Sequence, residues 1–207
     1  MIQVDPATCT AADLAEACAW IRTGGIVAYP TDTFYGLAVD PTSETAVAAL
    51  FDLKGRDPSV AMPLIAASAA QVGTVGTIDA ASARLAASFW PGPLSLVLDA
   101  SPAVASAVHA GRHTVAVRVP DHRIARILAE ACGIPLTSTS ANRSGAPPVS
   151  TADALNDLAR DPRVLVVDGG ATRGGRPSTI VDARAAPPRL VRDGAIPWNR
   201  VLDCLNG

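Results

Sequence analysis

Short apolar runs, each cut off by proline, glycine or a cluster of hydroxyls, alternate with helix-period segments along almost the whole chain. Ile26–Tyr29 is halted by Pro30, and Pro63–Ala67, Leu94–Leu98, Val115–Val119, Ile134–Thr139, Val164–Val167, Ser178–Val181 and Arg189–Val191 read as further strands. Between them, Thr10 and Asp13 resemble a capping box for a helix running to about Arg22, with Gly24 placed to stop it. A helix beginning near Ser43 carries Ala46, Val47, Leu50 and Leu53 at helical spacing, and Gly55 stands where a C-terminal glycine belongs. Ala80–Phe89, Arg123–Ala131 (with Asp121 as its cap) and a stretch near Ala152–Ala159 complete the helices. Alternation of this kind specifies layered α/β architecture. The last strands follow one another without helices between, which predicts a twisted mixed sheet, parallel and antiparallel, rather than a fully parallel one.

Composition supports a packed core. Of 207 residues, 49% are hydrophobic and 17% charged, far from the balance of a disordered chain. That length suits one α/β domain, so the reading is a single domain over residues 1–207. A formal charge of −2 argues against a broad basic surface for nucleic acid. Cys9, Cys18, Cys132 and Cys204 are scattered without a C-x-x-C pair and read as small buried apolar residues. His109, His113 and His122 show no metal-ligand spacing. The opening Met-Ile-Gln-Val-Asp-Pro has no basic stretch before an apolar core, and no apolar run approaches the ~20 residues of a membrane span. A cytoplasmic chain is expected.

Five segments place polar or charged residues against apolar strands. Thr31-Asp32-Thr33 follows directly on a buried strand, where α/β folds bind ligands, though it also reads as a local turn. Lys54-Gly55-Arg56 follows a helix and precedes a strand. It reads either as a solvated pair at the negative helix end or as a compact Lys beside a forked Arg suited to polyphosphate. Arg118 interrupts an apolar strand, so it either pairs with an internal acid or faces a cleft and holds an anion. Thr137–Gly145 crowds hydroxyls and Asn142 onto a strand exit, and Ser178-Thr179 with Arg192 forms a fifth polar cluster. There is no P-loop, no G-x-G-x-x-G after a strand and no G-x-S-x-G elbow. A nucleotide here would be held by side-chain cations and strand-end loops.

Taken together, the stretches PTDTFYGL, KGR followed by PLI, FWPGPLSLVL, TVAVRVP, TSTSANRSG, STIVD and LVRDG resemble the YrdC/TsaC family of threonylcarbamoyl-adenylate synthases, in the family's order from about residue 24 to 196. The resemblance implies a YrdC-like fold with a large open cleft. It implies condensation of L-threonine, bicarbonate and ATP to threonylcarbamoyl-AMP, with release of pyrophosphate and Mg2+ on the phosphates. A downstream enzyme then transfers the threonylcarbamoyl group to tRNA next to the anticodon. By that resemblance Lys54 and Arg56 are catalytic and bind the ATP phosphates. Thr114, Asn142, Ser150 and Arg192 contact the nucleotide, and Thr31, Arg118, Ser140 and Ser178 hold threonine. No covalent nucleophile is implied. The segment from Asp57 to Met62 departs from the family pattern by being longer and more apolar. The chain stops soon after Leu205, like the short single-domain members. Two other readings belong to relatives of the same fold: a double-stranded RNA or tRNA-binding module, with weak tRNA binding as its mild form, and a carbamoyl-transfer domain.

Overall fold

The computed structural model describes residues 1–206. Its strands fall into two sheets. The first has the order β1 (Ile2–Gln3), β10 (Val164–Asp168), β2 (Ile26–Pro30), β3 (Tyr35–Ala38) and β9 (Thr139–Ser140), the first two pairings parallel and the last two antiparallel. The second runs β12 (Arg189–Arg192), β11 (Thr179–Asp182), β6 (Leu94–Ala100), β7 (Thr114–Arg118), β4 (Leu64–Ile65) and β8 (Leu136–Thr137), with β5 (Gly76–Thr77) on the far end of β6. Here too parallel and antiparallel pairs mix, as the helix-free late strands predicted, but the strands divide between two sheets.

The helices begin and end for local reasons. In α2 (Glu44–Lys54) the Ser43 hydroxyl accepts from Ala46 N–H at 3.2 Å, and Gly55 closes the helix at φ +60°, a left-handed conformation that costs glycine nothing. α4 spans Ala80–Phe89, as its periodicity predicts, with Asp79 accepting from Ser82 N–H at 2.7 Å. Thr10 donates its N–H and hydroxyl to the Asp13 carboxylate at 2.8 and 2.7 Å, and a 3-10 turn at Ala12–Leu14 leads into α1 (Ala15–Arg22). The expected Asp121 cap is absent. His122 is the N-cap of α6 (Arg123–Cys132), without a side-chain bond, and Asp121 instead lies 3.6 Å from Arg126. The stretch Ala152–Ala159 is not one helix but a 3-10 turn at Asp153–Leu155 and a short α7 (Asp157–Arg160), broken where Asn156 takes φ +49°. α3 (Ala69–Val72) and α5 (Ser106–His109) fill the remaining connections, and α8 (Trp198–Asn206) follows β12.

Burial follows the two-residue period of strands. In β2, Ile26 and Ala28 face the larger core, whereas Val27 and Tyr29 face a second core built with α1 and α6. Both faces are therefore covered, which is why β2 reads as an unbroken apolar run. The second sheet is covered on both faces at β4 and β8, where Ile65 and Leu136 join the second core, but along β11, β6 and β7 it is covered on one face only. Leu94, Leu96, Leu98, Val115, Val117 and Val181 point into the larger core. The alternate residues Ser95, Val97, Thr114, Ala116, Arg118, Ile180 and Asp182 line open space. Three cysteines are buried as expected, all four are free, and Cys204 is half-buried. No helix among the described residues is long and apolar enough to cross a membrane.

Candidate functional site

A cleft of about 410 Å³ opens where the two sheets meet. The chain creates it at Ser138. Leu136–Thr137 belongs to the second sheet and Thr139–Ser140 to the first, so the predicted single strand Ile134–Thr139 is two short strands in different sheets. The crossing is pinned by Tyr29 Oη donating to Ser138 Oγ at 3.1 Å and by Ser138 N–H on Pro63 O at 2.8 Å. Thr31, Arg56, Arg118, Ser140, Ser178 and Arg192, all singled out in the sequence, line this cleft together.

Arg118 ends β7 on the open face. It both pairs with an acid and faces the cleft, so the two alternatives left by its sequence context hold at once. Nη1 donates to Asp32 Oδ1 at 2.8 Å and Oδ2 at 3.0 Å, with side-chain exposures of 8% and 7%. Asp32, the partner of Arg118, is a residue of the site that its sequence context did not single out from its hydroxyl neighbours. The signal for it was the unpaired charge of Arg118, which demands a carboxylate somewhere. Thr31 is buried, with its hydroxyl on Phe34 O at 2.7 Å and accepting Thr33 N–H at 3.2 Å, so it shapes the 31–34 turn.

Lys54 is more deeply placed than a solvated helix-end cation. Only 3% of it is exposed, and Nζ donates to Ser140 O at 2.6 Å, Asn142 O at 2.6 Å and Asn142 Oδ1 at 3.1 Å. All three ammonium protons thus hold the 140–142 loop. Ser144 N–H on Lys54 O at 2.8 Å and Arg143 Nη1 on Leu53 O at 3.0 Å tie the same loop to the negative end of α2. Burial, and then the charge of Arg56, lower the Lys54 ammonium to about 8. Arg56 is half-buried. Its Nη2 reaches Ala61 O at 2.8 Å and its Nε reaches Val60 O at 3.3 Å, folding the 57–62 segment over it, and desolvation lowers its pKa.

The remaining predicted residues divide among adjoining spaces. Lys54, Arg56, Ser140 and Asn142 line a second cavity of about 300 Å³. Arg56, Thr114 and Arg192 line a third of about 330 Å³, further along the open face. Arg56 borders all three. Ser150 lies outside these spaces, its carbonyl accepting from Thr172 N–H at 2.8 Å and Thr172 Oγ1 at 3.2 Å. At the base of the cleft Arg192 donates Nε and Nη2 to Ser178 O at 3.0 and 2.8 Å, and Nη2 to Ser178 Oγ at 2.8 Å. Ser178 Oγ in turn lies 3.0 Å from Ser95 Oγ.

An open sheet face bounded by three guanidiniums, a buried ammonium and many hydroxyls has the charge and donors suited to small anions. The family model of Sua5, YciO and YrdC, described as telomere recombination, matches residues 19–194, and the chain belongs to this family. It is 38% identical over 186 residues to a threonylcarbamoyl-AMP synthase of Pyrococcus abyssi, covering 89% of this chain and 55% of that protein. It is 41% identical over 165 residues to a threonylcarbamoyl-AMP synthase of Thiobacillus denitrificans, covering 79% and 87%. The crystal structure of P. abyssi Sua5 complexed with L-threonine superposes with a TM-score of 0.91 at 36% identity, over 98% of this chain and 60% of that one. The chain therefore spans a little over half the length of the Pyrococcus relative and most of the Thiobacillus one.

Proposed function

We propose that the chain is an L-threonylcarbamoyladenylate synthase, joining L-threonine, bicarbonate and ATP into threonylcarbamoyl-AMP and pyrophosphate. The observation that carries this reading is the sign of the cleft. Arg56, Arg118 and Arg192 line it, and among the described residues no carboxylate does. Three anionic reactants would otherwise repel one another. Holding them at contact and neutralising their charge supplies most of what the chemistry requires.

In this reading the threonine carboxylate docks on the Arg118 nitrogens that Asp32 leaves free, with Thr31, Ser140 and Ser178 around it. The threonine amine, once deprotonated, attacks the carbon of bicarbonate; a C–N bond forms and water leaves. A carbamate oxygen then attacks the α-phosphorus of ATP, and the bond to the β-phosphate breaks. Arg56 and Lys54 neutralise the departing pyrophosphate. A phosphate oxygen replaces Asn142 Oδ1, the longest of the three Lys54 acceptors at 3.1 Å. Thr114, Asn142, Ser150 and Arg192 serve the nucleotide, Ser150 through the backbone turn it anchors.

The described residues contain no cluster of three or more His, Cys, Asp or Glu that could hold a metal ion. An Mg2+ would instead arrive on the ATP phosphates, which would be its main ligands, and would offset their charge there. The product is handed to a cytoplasmic enzyme that transfers the threonylcarbamoyl group to tRNA, and with a net charge of −2 any tRNA contact of this chain is local. The test is an assay of pyrophosphate release with each of threonine, bicarbonate and ATP omitted in turn. Release that does not depend on threonine overturns the reading.

A further inference from the structure

The second sheet sets Ser95 between two arginines. In register, Arg192 of β12 lies opposite Ile180 of β11, Ile180 opposite Ser95 of β6, and Ser95 one step on from the Leu96–Val117 pair that aligns β6 with Arg118 of β7. Partners in register share a face, so this row crosses the floor of the cleft with a guanidinium at each end. Ser178 stands two residues before Ile180 on the same face, its hydroxyl 3.0 Å from that of Ser95.

The two serines, 1% and 8% exposed, carry two hydroxyl protons. One lies between the two oxygens, whichever serine donates it. Ser178 Oγ also accepts from Arg192 Nη2 at 2.8 Å, which uses a lone pair and no hydroxyl proton. The second hydroxyl proton has no acceptor among the described residues, and both serines line the cleft. In the free protein water in the cleft can accept it, an anion is the stronger acceptor, and the guanidinium on its partner oxygen strengthens the donor towards one.

We infer that Ser95 forms the subsite for bicarbonate and for the carbamate carboxylate made from it, with Ser178, which borders the threonine pocket, and Arg192, which borders the nucleotide space, joining it to the two other substrates. This rests on the synthase reading above. Threonine's own carboxylate has the free edge of Arg118 at the other end of the row. The new carboxylate must lie between the threonine nitrogen and the α-phosphate. Arg192 is placed for that, because it borders both the cleft and the third cavity, where Thr114 lies. In the carboxylation step the serine donor holds one oxygen of the trigonal carbon while the amine forms the C–N bond. The hydroxyl oxygen leaves as water, taking its second proton from the amine. The same oxygens are then already beside the phosphorus they attack.

The experiment measures the bicarbonate KM of wild type, Ser95→Ala and Ser95→Thr, alongside threonine affinity by calorimetry without bicarbonate or ATP. Loss of one hydrogen bond to a charged group predicts a bicarbonate KM raised about tenfold or more in Ser95→Ala. Threonine affinity should stay within about twofold, which also shows that the variant is folded, and Ser95→Thr should keep most of the bicarbonate affinity because it keeps the hydroxyl. An unchanged bicarbonate KM in Ser95→Ala overturns the subsite. So does a parallel loss in Ser95→Thr with threonine binding intact, or a loss of threonine affinity in a Ser95→Ala protein that still melts cooperatively. A wild-type protein without threonine-dependent pyrophosphate release instead sinks the synthase reading and the subsite with it.

Discussion

Asp32 meets Arg118 through a single guanidinium nitrogen, with Oδ1 at 2.8 Å and Oδ2 at 3.0 Å from Nη1, in a position where neither side chain exposes more than 8% of itself. An arginine this enclosed needs a counter-charge to keep the fold stable, yet a fully forked pair would leave no edge for a ligand. The observed geometry meets both needs. It explains how a strand in the wall of an apolar core can carry a charge that still belongs to the cleft.

Asp32→Ala leaves Arg118 enclosed and uncompensated, and should cost about 3–5 kcal/mol of stability. Urea denaturation reads that loss directly. Arg118→Ala leaves the Asp32 carboxylate enclosed and unpaired in its turn, so it too should cost stability, and in the protein that remains folded it should mainly raise the threonine requirement, with the ATP dependence close to wild type. A variant pair in which Asp32→Ala is as stable as wild type would show that the ion pair has no structural role.

Arg56→Ala and Lys54→Ala should both abolish turnover, but by different routes. Arg56 touches only the carbonyls of Val60 and Ala61, so its loss should leave the melting temperature nearly unchanged. Lys54 holds the 140–142 loop by three bonds, so its loss should also destabilise the protein, by about 1.5–3 kcal/mol or more on the scale of one charged hydrogen bond. Near-wild-type activity in both variants would remove the phosphate site from this position.

The Lys54 ammonium, lowered to about 8 by burial and by Arg56, sets a pH limb. Below that pH the group is charged and attracts phosphate; above it the amine is neutral and one donor is lost. The kcat/KM for ATP in the free enzyme should therefore fall as pH rises through about 8, while threonine binding at Arg118 does not follow. A profile flat from pH 7 to about 9.5 would contradict it.

Gly194 approaches the backbone of the cleft floor. A Cβ there would sit 2.4 Å from Thr179 N and 2.5 Å from Pro177 O. Gly194→Ala should push the start of β11 aside and carry Ser178 with it, costing about 1–3 kcal/mol and most of the activity, although the residue touches no substrate in the proposed arrangement. Thermal denaturation and the pyrophosphate assay together test this. Wild-type behaviour in both would mean the loop gives way freely.

Much of the local structure is legible in the chain. Ser43 and Gly55 mark the two ends of α2, Ala80–Phe89 is a helix residue for residue, and the helix-free late strands foretell mixed pairing. β3 was not legible, since Tyr-Gly-Leu-Ala carries neither alternation nor a β-branched residue, and its place is dictated by β2 and β9 on either side. The Asp121 cap failed because α6 begins at Arg123, which makes His122 the N-cap and leaves Asp121 one residue before the capping position.

For the site, the sequence by itself determined which side chains carry charge and hydroxyls at strand ends, because the two-residue period of a strand and the caps of a helix are local properties. Lys54, Arg56, Arg118 and Ser178 were visible on those grounds. Only the tertiary structure decided what each one meets. Asp32 and Arg118 lie 86 residues apart, Lys54 and the 140–142 loop about as far, and Ser95 and Ser178 meet across 83 residues through strand register. Periodicity states which face a residue takes and never which strand stands beside it. The split of Leu136–Ser140 between two sheets, which opens the cleft, follows from the packing of both cores at once.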